Sequence, residues 1–179
     1  MIKHNIRYLV VALVTGLLTL GGVSSEASLY DIGPKSESYL SSLPRAAFEY
    51  LSLSVSLEQK LRLPPMLLIE VARRESGFRQ DVITCQVVSP AGAKGLMQIN
   101  PKWHPLVDPC NPYLAMAYAA YYLHKLNVHY KGDWVLTLSA YNWGVGNVDR
   151  CLARKRCKIP RAVTDYSYGI LHRIDMHLV

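Results

Sequence analysis

LPPMLLIEVARRESG, residues 63–77, carries the strongest helix signal in the chain. Pro64 and Pro65 stand where a helix begins and the amide hydrogen they lack is not needed, and Gly77 stands where one ends. Between them Leu68, Val71 and Ala72 recur at the spacing of one helical face. Glu75 continues that stripe, seven residues after Leu68, four after Val71 and three after Ala72. It also lies in the last turn, at the negative end of the helix dipole, so partial desolvation and the dipole both push its pKa upward. A glutamate that keeps its proton near neutral pH is a general acid. Arg73, Arg74 and Arg79 pull the other way, and this helix alone leaves a structural ion pair equally open.

Outward from that helix the chain reads as further helices. Residues 28–43 are serine-rich, with Gly33 and Pro34, and read as a flexible lead-in to a single domain over 44–179. Residues 46–60 form a modest helix pattern. After Gly77, FRQDVITCQVVSPAGAKG is irregular, with a short strand expected around Val82 and a glycine-rich turn, and LMQIN reads as a short helical segment stopped by Pro101. NPYLAMAYAAYYLHKL begins a long helix in which Asn111 caps and Pro112 takes the first helical position. Asp133 caps another, DWVLTLSAYN, which stops at Gly144 and Gly146. A basic segment, 150–161, leads to a last helix from about Ala162. With no repeat and no sustained strand alternation, the class is all-α, with little or no sheet.

The first residues have a different character. Lys3 and Arg7 precede an apolar run from Tyr8 to Leu20, too short to span a membrane, and Ser25 and Ala27 suit a cleavage site before Ser28. Residues 1–27 therefore read as a secretory signal peptide, with an uncleaved membrane anchor as the competing reading, and a signal peptide implies a periplasmic or secreted protein with no stable membrane insertion after its removal. The loss of Lys3, Arg7 and Glu26 lowers the net charge of +7 by one. A basic protein outside the cytoplasm meets cell wall or membrane surface more readily than nucleic acid. Cys85, Cys110, Cys151 and Cys157 all follow the signal and are expected to pair in an oxidising compartment. Proximity favours Cys151 with Cys157, which leaves Cys85 with Cys110, although four cysteines admit three connectivities. His104, His124, His129 and His172 lack metal-site spacing, and no phosphate loop or serine-nucleophile turn is present, so neither metal nor cofactor is expected.

Three motifs in order break the tie over Glu75. ESGF, SPAGAKGLMQIN and, after a helix-sized gap, SAYNWGVGNV closely resemble those of the family 1 soluble lytic transglycosylases, bacterial enzymes related in fold to goose-type lysozyme. The resemblance runs from about Leu61 to Val148, with a weaker echo to Ile174. It implies a lysozyme-like helical domain with a cleft, acting on peptidoglycan glycan strands between N-acetylmuramic acid and N-acetylglucosamine. Glu75 would be the single catalytic residue, where most glycosidases need two carboxylates, and a 1,6-anhydro end would replace the reducing end. Ser76 would orient the carboxylate. Gly95, with Gly92 and Ala93, would let backbone approach the sugar chain; Met97, Gln98, Tyr141 and Asn142 would line the cleft.

The chain departs from the family in two places. ITCQVV is an extra stretch whose Cys85 suggests a staple for a longer loop beside the cleft. The last motif survives only loosely in AVTDYSYGI, where Tyr166 is the preferred substrate contact because it puts Ile170 one turn later, and Tyr168 is the rival. Two other readings stay open: a hydrolytic muramidase using the same glutamate, and a non-catalytic wall-binding assembly factor. The small size resembles members that open the wall locally for a secretion or conjugation apparatus.

Overall fold

The structure, a computed structural model, describes residues 34–154 and 156–178. The signal segment expected over 1–27 and the first residues of the lead-in lie outside them. From Pro34 that lead-in is not loose: Pro34–Ser42 is a helix, α1, and Tyr39 and Leu43 bury in the core. Burying two large apolar residues outweighs the poor helix propensity of a serine-rich stretch.

A 3-10 turn, Arg45–Tyr50, runs into α2, Leu51–Leu61, so the helix expected over 46–60 is two pieces. Next come α3, Leu67–Ser76, and a single turn, α4, Gln80–Ile83. The strand expected around Val82 is therefore helical; Val82 and Ile83 bury by turning once onto the core. LMQIN is not a helix either, but a turn closed by one bridge between Lys94 and Ile99. Helix α5, Pro112–His129, begins where the Asn111 side chain accepts from the Leu114 amide, and α6, Trp134–Trp143, where Asp133 accepts from Leu136. Val145–Leu152 is α7 and Arg161–Leu178 is α8. All helices and no strands make up the regular structure among the described residues, an all-α fold, and none of those helices is long and apolar enough to cross a membrane.

Helix α3 is the centre. The sequence offers one apolar stripe, but every residue from Leu67 to Ala72 is buried, because α2, α5 and α8 all pack against it. Its start is fixed by Glu58 of α2, whose carboxylate accepts from the Met66 amide at 2.9 Å, the Leu68 amide at 2.8 Å and Ser54 Oγ at 3.0 Å. Burial pushes the Glu58 pKa up to about 7, against the pull of those three bonds. In its middle, Glu70 is 1 % exposed. Tyr39 Oη donates to its Oε1 at 2.6 Å and Arg173 Nε to its Oε2 at 2.8 Å, tying α1 and α8 to α3. Arg73 Nε stands 3.6 Å from the same carboxylate.

Two disulfides complete the frame, Cys85–Cys110 and Cys151–Cys157, and among the described residues no cysteine is free. Since a buried carboxylate deprived of its cation keeps its desolvation cost, Arg173→Ala is expected to lower unfolding stability by about 2 kcal/mol, allowing for the partial exposure of the arginine. Urea denaturation of the two proteins measures this.

Candidate active site

The left-handed Gly77 (φ 59°) stops α3 and leaves Glu75 in its final turn, where the sheath of neighbours opens and the residue is only partly buried. Tyr166 of α8 donates its hydroxyl to Glu75 Oε1 at 2.6 Å. Burial pushes the Glu75 pKa up to about 7, while the Tyr166 bond and the Arg74 charge pull it down. The three arginines near it in sequence are otherwise engaged. Arg73 faces Glu70, Arg79 pairs with Asp81, and Arg74 places its guanidinium carbon 5.9 Å from the centre of the Tyr166 ring. Among the described residues no cation lies within salt-bridge distance of Glu75.

Around this carboxylate the residues singled out in the sequence separate into those at the surface of the site and those that build it. Tyr166 is buried against Glu75, whereas Tyr168 is 58 % exposed and points elsewhere. Tyr141, near the end of α6, is close enough for the Glu75 charge to push its pKa up further, after burial, and its hydroxyl donates to the Met97 carbonyl at 2.8 Å. Asn142 is exposed at the end of α6, and Gln98 is half-buried with its amide donating to the Gly95 carbonyl.

Three expectations change. Ser76 does not orient the carboxylate: it is buried, its hydroxyl donates to the Ala72 carbonyl and accepts from the Phe78 amide, and it locks the helix end. Met97 does not present its side chain to a cleft, being fully buried in the core; its carbonyl is what the site uses. At Gly95 the space that a side chain would need is taken by the chain itself. A Cβ there would lie 1.8 Å from the Pro109 carbonyl oxygen, so its smallness admits the backbone beside Cys110, at a positive φ of 74°.

Sequence reasoning missed an aromatic row that extends from Tyr141. Tyr122 of α5 lies 6.1 Å from it, Tyr118 6.2 Å further, and His104 sits edge-on to both at 4.9 and 5.4 Å. The signal was available in the tyrosines at 118 and 122, one helical turn apart in α5. Chemically the site offers one carboxyl group poised to give or take a proton near neutral pH, flanked by tyrosines. The other buried carboxylates, Glu58 and Glu70, are committed to the backbone and to Arg173. Among the described residues no group of three or more His, Cys, Asp or Glu side chains is placed to hold a metal ion.

A family model described as Transglycosylase SLT domain matches residues 52–163. An inactive mutant of the lytic transglycosylase Slt from Pseudomonas aeruginosa is similar in structure, with a TM-score of 0.56 and 21 % identity over 75 % of this chain and 24 % of that one. The 70 kDa soluble lytic transglycosylase from Escherichia coli gives 0.51 and 22 %, over 74 % of this chain and 23 % of that one. At these identities the likeness is one of fold, and this chain spans about a quarter of the length of either protein.

Two outcomes follow from the geometry. Gly95→Ala forces the backbone apart at Pro109 and is expected to cost on the order of 3 kcal/mol of stability, read as a lower urea midpoint. Titration of the Glu75 carboxyl carbon by NMR is expected to give a midpoint near 7. In Tyr166→Phe, where the donor to the ionised form is gone, the midpoint rises by about one pH unit.

Proposed function

The chain belongs to the transglycosylase SLT domain family, and from that membership we propose that it is a peptidoglycan lytic transglycosylase with Glu75 as its single catalytic residue. Its bond is the β-1,4 linkage from N-acetylmuramic acid to N-acetylglucosamine. The observation that carries the reading is the place of Glu75 at the open end of α3, hydrogen-bonded to Tyr166 and free of any ion pair among the described residues, where burial pushes its pKa up to about 7.

Such a group serves both halves of the reaction. Protonated, Glu75 gives its proton to the glycosidic oxygen as the bond to the muramic acid C1 breaks and the leaving N-acetylglucosamine keeps the electron pair. The muramic acid N-acetyl group stabilises the cationic C1. The Glu75 carboxylate then takes the proton of that sugar's own C6 hydroxyl as its oxygen bonds to C1, which closes the 1,6-anhydro ring and restores the acid. The second step is intramolecular, so positioning replaces the second carboxylate that other glycosidases require. Tyr166 steadies the ionised state between the two steps. Tyr141, Gln98 and Asn142 are the sugar contacts of this reading.

The setting is the cell wall. A signal peptide over 1–27, disulfides and a basic charge fit a periplasmic or secreted enzyme whose partner is the glycan strand, with no nucleic acid and no cofactor. Within that setting the proposed task is to open the wall locally for a secretion or conjugation apparatus.

Mass spectrometry of purified peptidoglycan digested with the chain from Ser28 onward tests the reaction. Fragments ending in 1,6-anhydromuramic acid are expected, and Glu75→Gln is expected to release them at least about a hundredfold more slowly. Reducing ends that depend on Glu75 would make water the nucleophile and the enzyme a muramidase. Folded protein that releases no fragments would leave a wall-binding assembly factor. The rate is expected to fall as pH rises through about 7, where Glu75 loses the proton it must donate.

A further inference from the structure

The loop between the Lys94–Ile99 turn and α5 carries the most exposed aromatic side chain of the described residues. Trp103 is 69 % exposed, with Lys102 Nζ 4.9 Å from its ring centre. The ring is an amphipathic surface, apolar on its faces and with an indole N–H at its edge, of the kind that receives a partner which is apolar on one side and polar at its rim. The loop around it is not loose. The Trp103 and His104 amides both donate to the Asn100 carbonyl, and the Asn100 side chain accepts from the Lys102 amide and donates to the Ala91 carbonyl. At its far end the loop is held by the Cys85–Cys110 bond and by Pro109 against Gly95.

His104, the next residue, fixes this loop to the aromatic row. Its Nδ1 is 2.7 Å from Tyr118 Oη, and its ring meets Tyr118 and Tyr122 edge-on. Tyr141, near Glu75, thus begins a row of rings that runs through Tyr122 and Tyr118 to His104, and Trp103, the residue before His104 in the chain, stands mostly exposed beside its outer end.

We propose that Trp103 is the platform of an additional glycan subsite at the outer end of the aromatic row, taking the face of an N-acetylated sugar, with Lys102 beside it for a carboxylate of the peptide stem that muramic acid bears. This rests on the reading of the site as one for peptidoglycan strands. Sugar rings offer a C–H face to an aromatic ring and hydroxyls at the edge, and a tryptophan that needs no ordering to receive them loses little entropy on binding. His104 and the disulfide are positioning elements: they hold the platform without touching the sugar. A strand that reaches Trp103 is longer than the two sugars at the scissile bond, so the subsite selects long glycan over short.

Calorimetric titration of the full chain carrying Glu75→Gln, which holds ligand without turnover, tests this with purified peptidoglycan disaccharide and hexasaccharide. The ratio of hexasaccharide to disaccharide affinity is expected to fall about tenfold when Trp103→Ala is added, as for an interface tryptophan removed from a single contact. Leu106→Ala, in the same loop and 96 % exposed, is the control and is expected to leave the ratio unchanged. Circular dichroism confirms the fold of each variant. An unchanged ratio in Trp103→Ala overturns the subsite and hands the exposed ring to a protein partner. An equal fall in Leu106→Ala overturns it as a general disturbance of the loop. A parent that binds both lengths equally overturns the subsite alone, while a parent that binds neither overturns the reading of the site as well.

Discussion

Helix α3 is enclosed on every side from Leu67 to Ala72, and each polar group it carries into that enclosure has to be met by another element. Three glutamates answer to this constraint at three heights. Glu58 reaches up from α2 to take the amides of Met66 and Leu68, where Met66 has a left-handed backbone and the helix has no side-chain cap of its own. Glu70 is neutralised by Arg173 and bonded by Tyr39, which carries α1 and α8 to the same point. Glu75, at the open end, accepts the Tyr166 hydroxyl and, among the described residues, forms no ion pair. The three glutamates therefore differ in supply: the first two are fully provided for, and the third, the proposed acid, meets one neutral donor among the described residues.

The surroundings of Glu75 depend on backbone as much as on side chains. Ser76 and Gly77 end the helix so that the carboxyl is presented, and Met97 is sunk in the core so that its carbonyl meets the Tyr141 hydroxyl. Gly95 lets the Pro109 segment lie against the Lys94–Ile99 turn that holds Met97. In each case a residue of the sequence motif acts by shaping the chain, one step removed from the place a ligand would occupy.

Local chemistry explains what could be read in advance. Proline at a helix start, asparagine or aspartate as cap and glycine at the end are short-range signals, and the helices divide them: prolines before α3 and Gly77 after it, Asn111 and Pro112 at the start of α5, Asp133 and Gly144 at the two ends of α6. Glu75 was visible because a stripe of three apolar residues pointed at it. What stayed hidden was set by distant contacts. Helix α1 exists because Tyr39 and Leu43 find the core, which a serine-rich stretch does not announce. Glu70 lies off the one apolar stripe that the sequence shows, and its partners lie 31 and 103 residues away. Val82 and the LMQIN segment were too short for periodicity to decide, and packing chose a helical turn for one and a bridged turn for the other. The aromatic row required knowing that the 101–110 loop folds back onto α5.

The order of the disulfides has a consequence for how the molecule is made. Cys85 pairs with Cys110 and Cys151 with Cys157, so the bonds are consecutive along the chain and neither encloses or crosses the other. A chain oxidised as it emerges, N-terminus first, presents its first two cysteines before the last two exist outside, and the nearest available partner is each time the native one. No wrong bridge has to be undone by thiol exchange, so the yield of correctly oxidised protein depends on how fast thiols are oxidised and little on how fast bridges are reshuffled.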